Sequence, residues 1–180
     1  MRVLNKKLSP VGFVKYIREL KGVWRPVDKL VFHHTSSPLE KWNGSASIMH
    51  YYNLYRSRGW KTGPHIFVAS DGIWLFTPIK KQGTHAGKEG NYGSIGIEIA
   101  GRYFEGSPTD ETICKYTALV TKVLIQKFNL FYENITNHTH FDKDNFCSPH
   151  LTPDWILSNS AANSGYIANV ISQYEHSVES

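Results

Sequence analysis

Ser94-Ile95-Gly96-Ile97-Glu98-Ile99-Ala100 alternates branched apolar residues with small or charged ones. In an extended chain Ile95, Ile97 and Ile99 then line one face, and Gly96, Glu98 and Ala100 the other. A strand this apolar on one side needs a cover, and the flanking sequence supplies it. Further β-type runs lie at 29–35, 65–69, 73–76 and 135–138, with Asp71-Gly72 reading as a tight hairpin turn between the second and third of the five. Helical segments are interleaved with them. Ser9-Pro10 places a capping hydroxyl before a proline, and Val14, Ile17 and Leu20 follow at helical spacing as far as Gly22, predicting a helix over 10–21. Ser45 opens a segment carrying Ile48, Tyr51, Tyr52 and Tyr55 that Gly59 closes. Ser107-Pro108 opens a third, with Ile113, Tyr116, Val120, Val123 and Leu124 on one stripe and an end near Phe128. Thr152-Pro153 opens a fourth, with a break around Asn163-Ser164-Gly165. The pattern predicts an α/β fold, a single domain with a central mixed β-sheet flanked by helices.

At 180 residues and 41% hydrophobic content, the chain is one domain in size and can bury roughly 70% of its unfolded surface. No repeat, low-complexity stretch or charge run marks a linker, so residues 1–180 are read as one domain, acting as a monomer. The start, Met1-Arg2-Val3-Leu4-Asn5-Lys6-Lys7, lacks the apolar run of a secretory signal, and no segment reaches the ~18 apolar residues of a membrane span. The expectation is a chain that is cytoplasmic as synthesised and needs separate delivery to any substrate beyond the membrane. Twenty Lys and Arg against 15 Asp and Glu give +5, which favours anionic partners such as cell-wall polymers. No basic stripe with interleaved aromatics is present, so nucleic acid is not an expected partner.

Nine histidines are the chemically suggestive feature. His33 and His34 fall in one strand and must point to opposite faces, Leu30 and Phe32 siding with His34 and Val31 and Thr35 with His33. His138 and His140 bracket the end of another expected strand, and Cys147 follows in a loop. Two imidazoles and a thiolate make a plausible three-ligand zinc site with the fourth position open, as hydrolytic zinc requires. A lone histidine in a strand is more commonly structural, and Cys147 has the alternative of pairing with Cys114 under oxidising conditions. Glu98 stands between the small residues Gly96 and Ala100, which leaves room beside its carboxylate for a ligand. In a partly dry pocket its pKa should rise and suit it to proton transfer; on a solvated sheet it would be an ordinary surface glutamate.

Five segments taken together resemble the zinc-dependent N-acetylmuramoyl-L-alanine amidase family, which includes phage lysozyme-type amidases and peptidoglycan recognition proteins. They are Val31-Phe32-His33-His34-Thr35, the run from Gly63 to Gly72, Thr84-His85-Ala86-Gly87, Ser94-Ile95-Gly96-Ile97-Glu98, and the region from His138 to Cys147. They keep the family's order over a motif-bearing core of about 27–150. The resemblance implies hydrolysis of the amide between N-acetylmuramic acid and L-alanine in peptidoglycan, with zinc-activated water as nucleophile. It implies His33, His138 and Cys147 as zinc ligands and Glu98 as general base, with Asn145 or Lys143 as candidates for stabilising the oxyanion. It also suggests that His65 and His85 line the substrate cleft, with a purely structural role the alternative for either; Trp60, Trp42 and Trp74 offer flat faces for binding a sugar ring of the substrate, with core packing the alternative for at least one of them.

The chain departs from the family pattern in places. Pro64 stands where many members have a tyrosine before the strand histidine, and Asn145-Phe146-Cys147-Ser148-Pro149 replaces the usual Cys-Pro-Gly surroundings. His140, two residues beyond His138, is an alternative ligand. A binding module of the same fold that recognises peptidoglycan without cutting it is the rival reading; the full ligand set together with Glu98 favours the enzyme.

Overall fold

The structure, a computed structural model, describes residues 3–104, 106, 108–142, 147 and 150–179. Its elements run β1 (Lys6–Leu8), α1 (Pro10–Arg18), β2 (Lys29–His34), α2 (Gly44–Ser57), β3 (Ile66–Ala69), β4 (Gly72–Leu75), α3 (Gly87–Asn91), β5 (Ser94–Ile99), α4 (Glu111–Phe128), β6 (Ile135–Asn137), α5 (Pro153–Ala162) and α6 (Ser164–Glu179). The six strands form one sheet in the order β1-β4-β3-β5-β2-β6. β4 runs antiparallel to both of its neighbours, β1 and β3; β3, β5, β2 and β6 run parallel, so the sheet is mixed as expected.

The two faces of the sheet are covered unequally, and this creates the site. Ile95, Ile97 and Ile99 of β5 join Leu30, Phe32, Ile66, Val68, Ile73 and Leu75 in the main core, beneath α1, α4, α5 and α6. On the reverse face α2 places Ile48, Tyr51 and Tyr55 against Phe67, Trp74 and Phe76 in a smaller cluster. α2 thus packs on the β3–β4 side. On the same face the central pair β5 and β2 carries polar residues: cross-strand register puts His33 opposite Glu98, and Glu98 opposite Phe67.

Several boundaries differ from the sequence reading. α1 stops at Arg18 rather than near 21, with Ser9 accepting the Gly12 amide and the proline at the first turn. α2 begins at Gly44, so Ser45 lies inside it, and Ser47 Oγ instead accepts the Asn43 amide at 2.8 Å. The cap of α4 is Asp110, whose carboxylate accepts the Ile113 amide at 2.8 Å; an anion at a helix start is favoured by the exposed N–H groups there. Ser107, expected to open that helix, lies outside the described residues. Asn129 closes it in a left-handed conformation, φ 52°. β1 was not foreseen, being a three-residue edge strand with two lysines on it, and neither was the five-residue α3. Thr152 caps α5 through the Trp155 amide, and the expected break at Asn163 separates α5 from α6. Among the described residues no helix is long and apolar enough to cross a membrane.

Candidate active site

β6 ends at Asn137, one residue short of expectation, because the chain turns there into a single 3-10 turn over His138–His140. Asn137 Oδ1 accepts the His140 amide, and Thr139 Oγ1 donates to the Cys147 carbonyl at 2.8 Å, tying Cys147 to the turn. His138 and Cys147 are thereby brought to His33 on β2. One candidate ligand atom from each of the three lies within 4.8 Å of the others. The ring centroids of His33 and His138 are 4.8 Å apart, and Cys147 Sγ is 3.7 Å from His33 Nδ1. Cys114 Sγ donates to the Pro108 carbonyl and Cys147 Sγ lies beside His33, so the two cysteines are not joined to each other.

His140 takes another direction: its ring packs edge-on to Phe141, and both line a separate hollow with Asp28 and Tyr132. His34 points to the opposite side of β2 from His33, accepts the Tyr103 amide on Nδ1 at 2.9 Å and packs against Phe104. The three-residue group is two imidazoles and a thiol, a donor set suited to zinc by softness and number. The residues therefore fit a single zinc ion with an open position.

Glu98 is 7% exposed. Burial pushes its carboxyl up to about 8, against the pull of a hydrogen bond from Tyr55, whose hydroxyl donates to Oε1 at 3.3 Å. That tyrosine comes from α2; in the sequence it reads as one more member of an aromatic helix stripe, and nothing in the spacing signals its contact with Glu98. His33, Glu98, His138, Cys147, Tyr55 and Trp60 line a cleft of about 310 Å³. Trp60 is a cleft wall, but one of its faces is already used by Tyr55, stacked at 5.1 Å and 13°. Trp74 is core, 5% exposed, and Trp42 and Trp74 both donate to Asp71 Oδ1. Lys143 and Asn145 lie outside the described residues.

Two expectations change here. His65 does not reach the cleft: it is fully buried, with Nδ1 accepting the Gly96 amide at 3.0 Å and Nε2 donating to the Lys81 carbonyl at 2.9 Å. Its ring fastens the start of β3 to β5 and to the 81–83 loop, a structural role. Burial, helped by the nearby Arg25 guanidinium, lowers its pKa to about 3. His85 does line the cleft, yet it fills the space that Gly96 was expected to leave for a ligand. A Cβ built on Gly96 would sit 2.5 Å from His85 Cδ2. Gly96→Ala is therefore expected to displace the His85 ring and cost ~1–3 kcal/mol, the usual penalty of overpacking, measurable by urea denaturation of the metal-free protein.

Residues 23–153 match the model of the N-acetylmuramoyl-L-alanine amidase family. The chain belongs to this family. It is the family that the five motif segments pointed to, and membership makes the chain an amidase of the peptidoglycan class. Among solved structures, the amidase is similar to the endolysin N-acetylmuramoyl-L-alanine amidase LysCS from Clostridium intestinale URNW, with 20% identity, a TM-score of 0.60, and coverage of 73% of this chain and 80% of that one. The Ph2119 endolysin of a Thermus scotoductus MAT2119 bacteriophage gives 21% identity and a TM-score of 0.55 over 86% of this chain and 99% of that one. Drosophila PGRP-LB gives 19% identity and a TM-score of 0.56 over 68% and 75%. At such identities these likenesses establish the fold. Comparison with curated proteins gives no match.

Proposed function

We propose that the amidase hydrolyses the amide between N-acetylmuramic acid and L-alanine with a zinc ion held by His33, His138 and Cys147, the whole chain serving as one catalytic domain. The observation that carries the reading is the convergence of those three side chains, from β2, the turn after β6 and the following loop, beside the buried carboxyl of Glu98. Zinc bound there supplies Lewis-acid polarisation of the amide carbonyl and acidifies water.

The chain's own residues carry the proton. A Glu98 oxygen takes it from the attacking water and delivers it to the L-alanine nitrogen as the C–N bond breaks, so that carboxylate and amine are the products. With its pKa at about 8, the carboxyl needs a nearby positive charge to release its proton at neutrality, and the ligand set beside it is where such a charge would be held. Tyr55 orients that carboxyl through its hydroxyl. A neighbouring hollow of about 350 Å³, bordered by Lys41, Trp42 and His50, shares Thr35 and Tyr51 with the cleft, which suits a substrate that extends beyond the scissile bond.

The test is release of new alanine amino groups from purified peptidoglycan. Release that a zinc chelator stops and added zinc restores is the expected outcome. A folded, zinc-loaded protein that sediments with the wall and releases nothing would instead be a recognition module.

A further inference from the structure

His85 lies next to the ligand group without belonging to it, and its hydrogen bonds have a determinate direction. The chain of contacts runs from His33 Nε2 to His85 Nδ1 at 3.0 Å, from His85 Nε2 to Ser94 Oγ at 3.1 Å, and from Ser94 Oγ to the Asn91 carbonyl at 3.0 Å. A carbonyl only accepts, so the Ser94 hydroxyl donates its proton to it. The Ser94 oxygen is then left to accept from His85 Nε2–H. A neutral His85 protonated on Nε2 has a lone pair on Nδ1, and that lone pair accepts from His33 Nε2–H. A neutral His33 protonated on Nε2 presents its own lone pair on Nδ1, the atom 3.7 Å from Cys147 Sγ. His33, His85 and Ser94 are 2%, 5% and 0% exposed, which favours neutral rings.

The scaffold around the chain is built for this ring. Asn91 Oδ1 accepts the backbone amides of both His85 and Ala86, at 2.7 and 2.8 Å, holding the loop that presents the imidazole. Gly96 leaves the space in which the ring lies.

We propose that His85 is a positioning residue: anchored by Ser94 and Asn91, it fixes His33 in the Nε2–H tautomer so that Nδ1 is offered to the metal. This rests on the reading of His33 as a zinc ligand. Metal-binding histidines commonly donate their second N–H to a carboxylate, carbonyl or water. Here the acceptor is a neutral imidazole, which orients His33 without adding negative charge beside the cation.

The experiment is zinc affinity of the full chain, by competition with a chromophoric chelator, for wild type, Ser94→Ala, His85→Leu, His85→Asn and His33→Ala. Melting of each metal-free protein is recorded alongside. Loss of a supporting partner of this kind typically weakens metal binding about 10- to 100-fold. That range is expected for His85→Leu, with a loss also in Ser94→Ala, which touches no ligand. His85→Asn, whose amide oxygen can replace the Nδ1 acceptor, should recover part of it, which a merely structural role would not predict. Should His85→Leu fail to fold, Ser94→Ala and His85→Asn carry the decision. Wild-type affinity in folded Ser94→Ala and His85→Leu, with His33→Ala unable to hold zinc, would overturn this inference alone. A wild type that takes up no zinc, or a His33→Ala variant that binds it normally, would overturn the metal-site reading and this inference together.

Discussion

Glu98→Gln is expected to lower turnover on peptidoglycan by about 10²–10⁴-fold, the usual contribution of a positioned acid–base group, while zinc remains bound. The replacement is close to isosteric and keeps an acceptor for the Tyr55 hydroxyl, so the cleft should survive it. The same substitution should stabilise the metal-free protein at pH 8. Glu98 has its pKa raised from 4.5 to about 8 in the folded chain. Between those values the folded state holds a proton that the unfolded state has lost, so stability is fully present below 4.5 and declines as pH rises through 8. Glutamine cannot ionise and removes the decline. At ~2–4 °C per kcal/mol for a chain of this size, a melting-point gain of at least a few degrees at pH 8 should be readable by calorimetry. Unchanged turnover with zinc retained would take Glu98 out of the acid–base role. A melting point unchanged at pH 8 would mean that its carboxyl is not held protonated by burial.

The second large effect is on the acid side. His34 and His65 are buried, and burial lowers their pKa values from 6.5 to about 4 and about 3, with Arg102 and Arg25 respectively adding to the effect. His33 and His85 are lowered well below 6.5, again chiefly by burial and then by neighbouring histidines. For each, the unfolded chain binds a proton below 6.5 that the folded chain refuses. Stability is therefore intact above 6.5 and lost as pH falls toward the folded values. One such group contributes a slope of ~1.4 kcal/mol per pH unit. His34 and His65 together give about 3 kcal/mol per unit, large beside the 5–15 kcal/mol of a typical fold. Glu98 slopes the other way between 4.5 and 8, so the metal-free protein should be most stable near pH 6.5. Urea denaturation with chelator across pH 4.5 to 8.5 checks this. A flat limb from 6.5 to 4.5 would contradict the neutral, buried state of these histidines.

How far the sequence carried can be seen residue by residue. Alternation in 94–100 was enough to set Glu98 apart from Ile95, Ile97 and Ile99, because a period of two leaves no other choice of face. The same rule separated His33 from His34, and the Ser9 and Thr152 caps located two helix starts within a residue. Order and spacing of the motif segments were sufficient for the family. Contacts across the fold were not legible, since they depend on which elements meet. Tyr55 reaches Glu98 only because α2 packs on the reverse face of the sheet beside β5. His138 rather than His140 reaches His33 because a 3-10 turn, not a continued strand, follows Asn137. His65 and His85 look alike in the sequence, each a histidine in a family motif. Tertiary structure separates them: one ring is fastened between β5 and a loop carbonyl, while the other occupies the gap over Gly96 and hands its lone pair to His33. Local periodicity determined faces, and the motif segments in their order carried the resemblance to the family; long-range packing decided which side chains share a hydrogen bond, because a bond of ~3 Å depends on the joint placement of segments up to 157 residues apart, as between Arg18 and Glu175.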